Sequence, residues 1–297
     1  MMALILALGI VAACIAVVRQ IVAARVERRD RSRPRDNDGV LLGAAGFTLA
    51  RPSAPAALLL HGAGDTPQTL RDLGEYLHAR GFAVTAPLLP SHGRSVRAFR
   101  NVSSQAWQAA AVAAYDDLRA QHSWVGVVGL SMGGALAAIT VAERPDTPAL
   151  VLLAPYLGLP RGLRLAAVMS RIANLFSPYF PSGDPRSVHD PIAAARGLTY
   201  SVFTPAAMRA LRDTTGAGLA ALPHVRTPTL IVQSREDNRI APEVAKRVLR
   251  LLASPDKCLE WTSEGGHVIT VDYGKDRVFS LTADWLLSHG AGSLLQR

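Results

Sequence analysis

The hydrophobic pattern of the chain alternates between two periods. Residues 56–60, 124–130 and 149–153 form short, nearly continuous apolar runs, and 82–86, 229–232 and 258–261 read as further strands. Runs of this length predict strands buried on both faces. The stretches between them carry helical spacing, as in 67–80, where Leu70, Leu73 and Leu77 share one face. Further helices are predicted over 105–121, 132–143, 242–253 and 276–288, with Pro67 and Pro242 in first-turn positions. Residues 39–51 hold one or two short edge strands. Strand and helix in alternation predict an α/β fold. Its mostly parallel central sheet is joined by right-handed crossovers and flanked by helices.

Two segments break this rhythm. Between 155 and 227 there are eight prolines, with amphipathic helices near 163–175 and 206–222. A long insertion after a sheet strand, rich in prolines and apolar helix faces, predicts a helical cap, bounded here as 156–226. Leu163, Val168, Met169, Ile172, Leu175 and Phe176 either line a pocket under it or form the cap's own small core. The other break is the N-terminus, uncharged over 1–18 and apolar again over 21–24. That length predicts a transmembrane helix over 1–24, with Arg19 snorkelling to the interface. Residues 25–50 then read as a charged linker, with ERRDRSRPRDND at 27–38 solvated. The main domain occupies 51–290.

Charge sharpens the picture of the N-terminus. The formal net charge is +9, nearly all of the excess being arginine, since Lys246, Lys257 and Lys275 are the only lysines. Neither an aromatic-interleaved basic motif nor zinc spacing is present, so nucleic acid is not the expected partner. Arg19, Arg25, Arg28, Arg29, Arg31, Arg33 and Arg35 all follow the apolar span. By the positive-inside rule they predict a cytoplasmic main domain on a single-pass anchor. The competing reading is a processed lipoprotein signal, because Val11-Ala12-Ala13-Cys14 resembles a lipobox. Against it stand the uncharged start and the apolar run beyond Cys14. Cys14 and Cys258 lie too far apart in character to indicate a disulfide framework or a metal site, and no cofactor motif is found.

The candidate chemistry begins at Gly129-Leu130-Ser131-Met132-Gly133, between a predicted strand and a predicted helix. Glycines two before and two after the serine permit a sharp turn that exposes the Ser131 hydroxyl beside a helix amino end. Taken alone, the same letters also describe a glycine-rich bend. Two loops at later strand ends supply partners: Asp237 in QSREDNRI and His267 in SEGGHVIT. A serine hydroxyl needs a base to take its proton and a carboxylate to orient that base. Glu236, beside Asp237, is expected to point elsewhere, and Asp272 to shape the histidine loop. His61-Gly62-Ala63, just past a buried strand, offers Ala63 N–H as one oxyanion donor beside Met132 N–H. His92 is expected to be structural or to lie on the substrate side.

These pieces resemble the α/β-hydrolase superfamily, in particular bacterial carboxylesterases and monoacylglycerol lipases with a small cap. The matching stretches are LLLHGAGDTP at 58–67, GLSMGGALA at 129–137, QSREDNRIAP at 233–242 and GGHVITVDYGKDRV at 265–278. The resemblance implies an α/β-hydrolase fold. It also implies a cofactor-free serine esterase acting on short- to medium-chain esters, monoacylglycerols or lysolipids through an acyl-enzyme. Thioester hydrolysis or acyl transfer would use the same residues, and a non-catalytic membrane-tethered binding module is the reading from another class.

Overall fold

The computed structural model describes residues 1–158, 161–182 and 187–295. Seven strands form the central sheet: β1 (Phe47–Leu49), β2 (Ala56–Leu60), β3 (Ala83–Ala86), β4 (Val125–Leu130), β5 (Leu150–Leu153), β8 (Thr229–Ser234) and β9 (Lys257–Thr262). Two further short strands lie in the insertion, β6 (Phe180–Pro181) and β7 (Val202–Phe203), paired antiparallel with each other. The sheet order is β1-β3-β2-β4-β5-β8-β9. Only β1, at the edge, runs antiparallel to its neighbour.

The alternation along each strand explains the two-sided burial. In β2, Ala56, Leu58 and Leu60 join the core on one face, while Ala57 and Leu59 join the core on the other. In β5, Leu150 and Leu152 face one way and Val151 and Leu153 the other. The first face is covered by α3 (Ser104–Arg119), α4 (Met132–Glu143) and α8 (Pro242–Leu251). The second is covered by α2 (Arg71–Ala79) and α9 (Lys275–Leu286). In β2, β4 and β5, with no face left to water, no polar positions are spared, and the sequence reads as unbroken apolar runs. The first of these helices begins later than its pattern implied, because 67–70 closes as a 3₁₀ turn at Pro67.

The insertion between β5 and β8 holds α5 (Arg161–Phe176), the β6–β7 pair, α6 (Pro191–Arg196) and α7 (Pro205–Ala221). Of these, α7 packs on α4 and on α5, with Gly218 of α7 close against Ala135 of α4.

The N-terminal region departs from expectation. Helix α1 runs unbroken from Met2 to Arg31, through the stretch read as solvated linker. Up to Val18 nearly every residue is exposed, and α1 is long and apolar enough to cross a membrane. From Arg19 onward, Arg19, Val22, Ala23, Val26, Glu27 and Asp30 become covered at helical spacing. Ala23 and Val26 pack on the main core. Buried charge completes the seam. Glu27 accepts from Arg97 at 2.8 Å and from Tyr179 Oη at 2.9 Å, and Asp30 accepts from Val96 N–H and pairs with Arg35. The charged stretch is therefore a docking seam, since its acids find partners on the domain instead of water.

Removing one member of such a buried set strands the others, at a cost of about 1–3 kcal/mol. Glu27→Ala in the full-length protein is expected to lower the thermal midpoint by several degrees and to open the segment around Arg28 and Arg29 to trypsin. An unchanged midpoint and digestion pattern would show that α1 is not docked.

Candidate active site

Among the described glycines, the closest backbone approaches fall at the turn from β4 into α4. Ser131 has φ 56° and ψ −118°, a conformation side-chain-bearing residues rarely hold. A Cβ on Gly129 would collide with the backbone of Gly133, and one on Gly133 would collide with the Leu60 carbonyl. Both glycines are thus required by close approach of backbone to backbone. The turn puts Ser131 at the amino end of α4, where Met132, as first residue, has an N–H without an intrahelical acceptor.

Ser131, His267 and Asp237 come together across the carboxyl edge of the sheet. His267 Nε2 lies 2.8 Å from Ser131 Oγ, and His267 Nδ1 lies 2.8 Å from Asp237 Oδ2. Asp237 is wholly enclosed, yet both of its oxygens are filled. Oδ2 also accepts from Gln233 Nε2 at 2.6 Å, and Oδ1 accepts from the Arg239 and Ile240 N–H groups. Burial alone would raise this carboxyl; the His267 imidazole and the two backbone donors outweigh it and hold it below the usual carboxylate range. An ionised Asp237 fixes the proton on Nδ1, leaving Nε2 to accept from Ser131 Oγ–H. Glu236 turns away toward His189, at 3.5 Å.

Asp272 shapes the histidine loop, with four backbone N–H groups on its two oxygens. Gly266 and Tyr273 belong to that loop, whereas His189 and Asp190 belong to the cap.

His61 and His92 are both fully buried, with their rings edge to face. His61 Nε2 accepts from Leu89 N–H and His92 Nε2 accepts from Gly64 N–H, so both must be neutral. Burial enforces this, pushing His61 down to about 4 and His92 well below its ordinary value. Together they brace the 61–64 loop beside the serine, where a Cβ on Gly62 would stand 3.3 Å from Ser131 Cβ. His92 is therefore structural. Ala63 sits in this braced loop.

Ser131 and His267 open into a cavity of about 710 Å³. Phe180, Phe203, Met208 and Leu211 of the cap give it an apolar wall. Asp65 and Gln68 also line it: Asp65 Oδ2 accepts from Thr69 Oγ1, and Asp65 Oδ1 and Gln68 Oε1 are buried without a hydrogen-bond partner among the described residues. Sequence reasoning passed over Asp65, Gln68 and Gln233. The first two stand in an ordinary-looking turn, and Gln233 sits within a strand. The predicted pocket residues of the cap are corrected. Met169, Ile172 and Phe176 are absent from the described wall and are exposed, because α5 turns its Ser170 side to α7 and leaves this stripe outside. The side chain of Leu163 lies outside the described residues.

Burial pushes Asp65 up to about 6, against the opposing pull of Thr69, Thr66 N–H and His267. A carboxyl raised on folding favours the native state only while protonated, so stability falls as pH rises between about 4 and about 6. Two units at about 1.4 kcal/mol each correspond to about 3 kcal/mol. Asp65→Asn is expected to flatten thermal stability across this window and to raise the midpoint at pH 8; an unaltered profile would contradict the assignment.

A family model described as serine aminopeptidase, S33, matches residues 52–273. The chain is 26% identical over 224 residues to a carboxylesterase of Bacillus subtilis (strain 168), covering 75% of this chain and 88% of that protein. It is 26% identical over 250 residues to a thermostable monoacylglycerol lipase of Bacillus sp. (strain H-257), covering 84% and 97%. The solved structure of a metagenome-derived lipolytic enzyme superposes with a TM-score of 0.78 at 26% identity, covering 84% of this chain and 100% of that one. A monoacylglycerol lipase of Paleococcus ferrophilus, at 21% identity and a TM-score of 0.70, covering 82% and 98%, shares the fold. The chain belongs to the serine aminopeptidase S33 family of α/β-hydrolases.

Proposed function

We propose that this chain is a membrane-anchored serine hydrolase that cleaves carboxylic esters, monoacylglycerols foremost, through an acyl-enzyme on Ser131. The observation that carries the reading is the unbroken line from Ser131 Oγ through His267 to an ionised Asp237 at the floor of the cavity. His267 Nε2 takes the proton as Ser131 Oγ adds to the ester carbonyl carbon. The negative oxygen of the tetrahedral intermediate is received by the N–H groups of Ala63 and Met132. The C–O bond to the alcohol then breaks, and His267 returns the proton to the departing alkoxide. Water repeats the sequence on the acyl-enzyme, releasing the acid and restoring Ser131. Asp237 stays ionised throughout and stabilises the transient imidazolium.

The choice of ester rests on the mixed lining of the cavity. An apolar wall suits an acyl chain. The polar lining residues Asp65, Gln68 and Arg239 suit an alcohol with hydroxyl groups of its own, which glycerol has and methanol, once esterified, does not. The likeness to a carboxylesterase and a monoacylglycerol lipase supports the same class. The long apolar α1 supports an anchored enzyme meeting amphiphilic substrates, and the arginines that follow its apolar span support a cytoplasmic domain.

A fluorophosphonate probe is expected to label the wild type and not Ser131→Ala; labelling that survives in the variant would remove Ser131 from the role. Asp65→Ala combined with Gln68→Leu is expected to lower kcat/KM for a monoacylglycerol by about tenfold to a hundredfold, the worth of a hydrogen bond to a charged group. The methyl ester of the same acid should change far less. Equal losses on both esters would place glycerol recognition elsewhere.

A further inference from the structure

A second cavity, of about 350 Å³, lies apart from Ser131, between residues 97–101 and the cap helices α5 and α7. Arg97, Arg100 and Arg209 line it, with Asn101, Asn174 and the first turn of α7. Glu27 is the carboxylate facing these arginines. It is engaged by Arg97 at 2.8 Å and by Tyr179, while Arg100 stands 3.9 Å away, beyond hydrogen-bond reach. Arg209 reaches the buried Ser170 Oγ at 2.9 Å. Three guanidiniums against one carboxylate leave a cationic cavity able to take a further anion.

Its position along α1 identifies the anion. The uncharged part of α1 ends where Arg19 Nε donates to the carbonyl of Asn174, itself a lining residue. Glu27 lies eight residues further, about 12 Å along the helix axis. Two of the lining residues, Asn174 and Arg97, thus touch α1 at Arg19 and Glu27, in the first turns beyond the uncharged span, a level that in a bilayer is the headgroup layer. Beside it, Val168, Ile172, Leu175 and Phe176 expose an apolar stripe on α5, the helix that packs against α1. Cationic cavity and apolar flank together suit an amphiphile with an anionic head.

We propose that this cavity binds the phosphate of an anionic phospholipid from the membrane that α1 crosses. The acyl chains run along α1 and the exposed stripe of α5. Arg100 and Arg209 supply charge-assisted hydrogen bonds to the phosphate oxygens, geometry that guanidinium matches better than a point charge. The site would fix the depth and tilt of the domain, as basic pockets next to membrane helices do. This rests on the anchor reading, which alkaline carbonate extraction of membranes tests separately. It does not need Ser131 chemistry.

The test uses the full-length protein with Ser131→Ala, purified in a neutral detergent and titrated with phosphatidylglycerol, phosphatidylcholine or inorganic phosphate. Bound lipid is counted by native mass spectrometry. Phosphatidylglycerol is expected to bind at least about tenfold more tightly than phosphatidylcholine, with Arg100→Gln/Arg209→Gln weakening it by about tenfold or more. Arg100→Lys/Arg209→Lys should retain part of the affinity. The same Gln pair, with Ser131 intact, should hydrolyse a soluble short-chain ester normally, which verifies its fold. Undiminished phosphatidylglycerol binding in the Gln pair, equal binding of the two lipids, or displacement by inorganic phosphate as effective as by lipid would each overturn the proposal.

Discussion

The crossing of β4 into α4 at Ser131 is the constraint on which the site depends. A non-glycine residue at φ 56° costs about 1–3 kcal/mol, so something else must hold it there. The holding groups are backbone. Ser131 N–H donates to Leu153 O at the end of β5, and Ser131 O accepts from Gly134 and Tyr156 N–H. Those bonds knit the turn to the neighbouring strand and to the start of the cap. Gly129 and Gly133 let the backbones approach closely enough to make them. The strained serine is thus the product of a sheet packed for reasons of burial, and its exposed hydroxyl comes with that packing.

Burial then sorts the charges around the turn by what each group can hold. Asp237 and Asp65 are both enclosed carboxyls, yet they move in opposite directions. Asp237 has two backbone N–H groups, a glutamine amide and an imidazole on its oxygens, so ionisation is stabilised. Asp65 has one oxygen bonded to Thr69 and the other unpartnered, so the neutral acid is favoured. His61 and His92 lack any carboxylate and stay neutral, serving as acceptors for backbone N–H groups that shape the 61–64 loop.

What the sequence revealed follows from where its physics is local. Strands buried on both faces write themselves as apolar runs, and a glycine-flanked serine between strand and helix can hardly be mistaken once Asp237 and His267 follow at later strand ends. The seam at Glu27 and Asp30 was hidden because its partners, Val96, Arg97 and Tyr179, lie 66 to 152 residues away. In isolation such a stretch has only water to bind. The stripe on α5 was ambiguous for another reason. Helical periodicity identifies an apolar face but not what covers it, and here the face turns away from the cavity. Gln68 and Gln233 gave no signal, since a glutamine in a turn or a strand acquires meaning only from the atom it meets.

The cap, finally, is tied at two ends to parts of the molecule that work on different scales. At the chemical end, His189 and Asp190 N–H share the Asp272 carboxylate with Gly266, next to His267, and Val268 N–H donates to Ser187 O. Hydrogen bonds to a charged, buried acceptor are each worth about 1.5–3 kcal/mol, so this stem does not shift without disturbing the histidine loop. At the other end, Asn174 and Tyr179 hold α1 through Arg19 and Glu27. The same insertion that walls the cavity therefore joins the serine's proton acceptor to the helix suited to a bilayer. On the proposed anchored reading, a displacement of α1 would reach the histidine loop through the packing of this one segment.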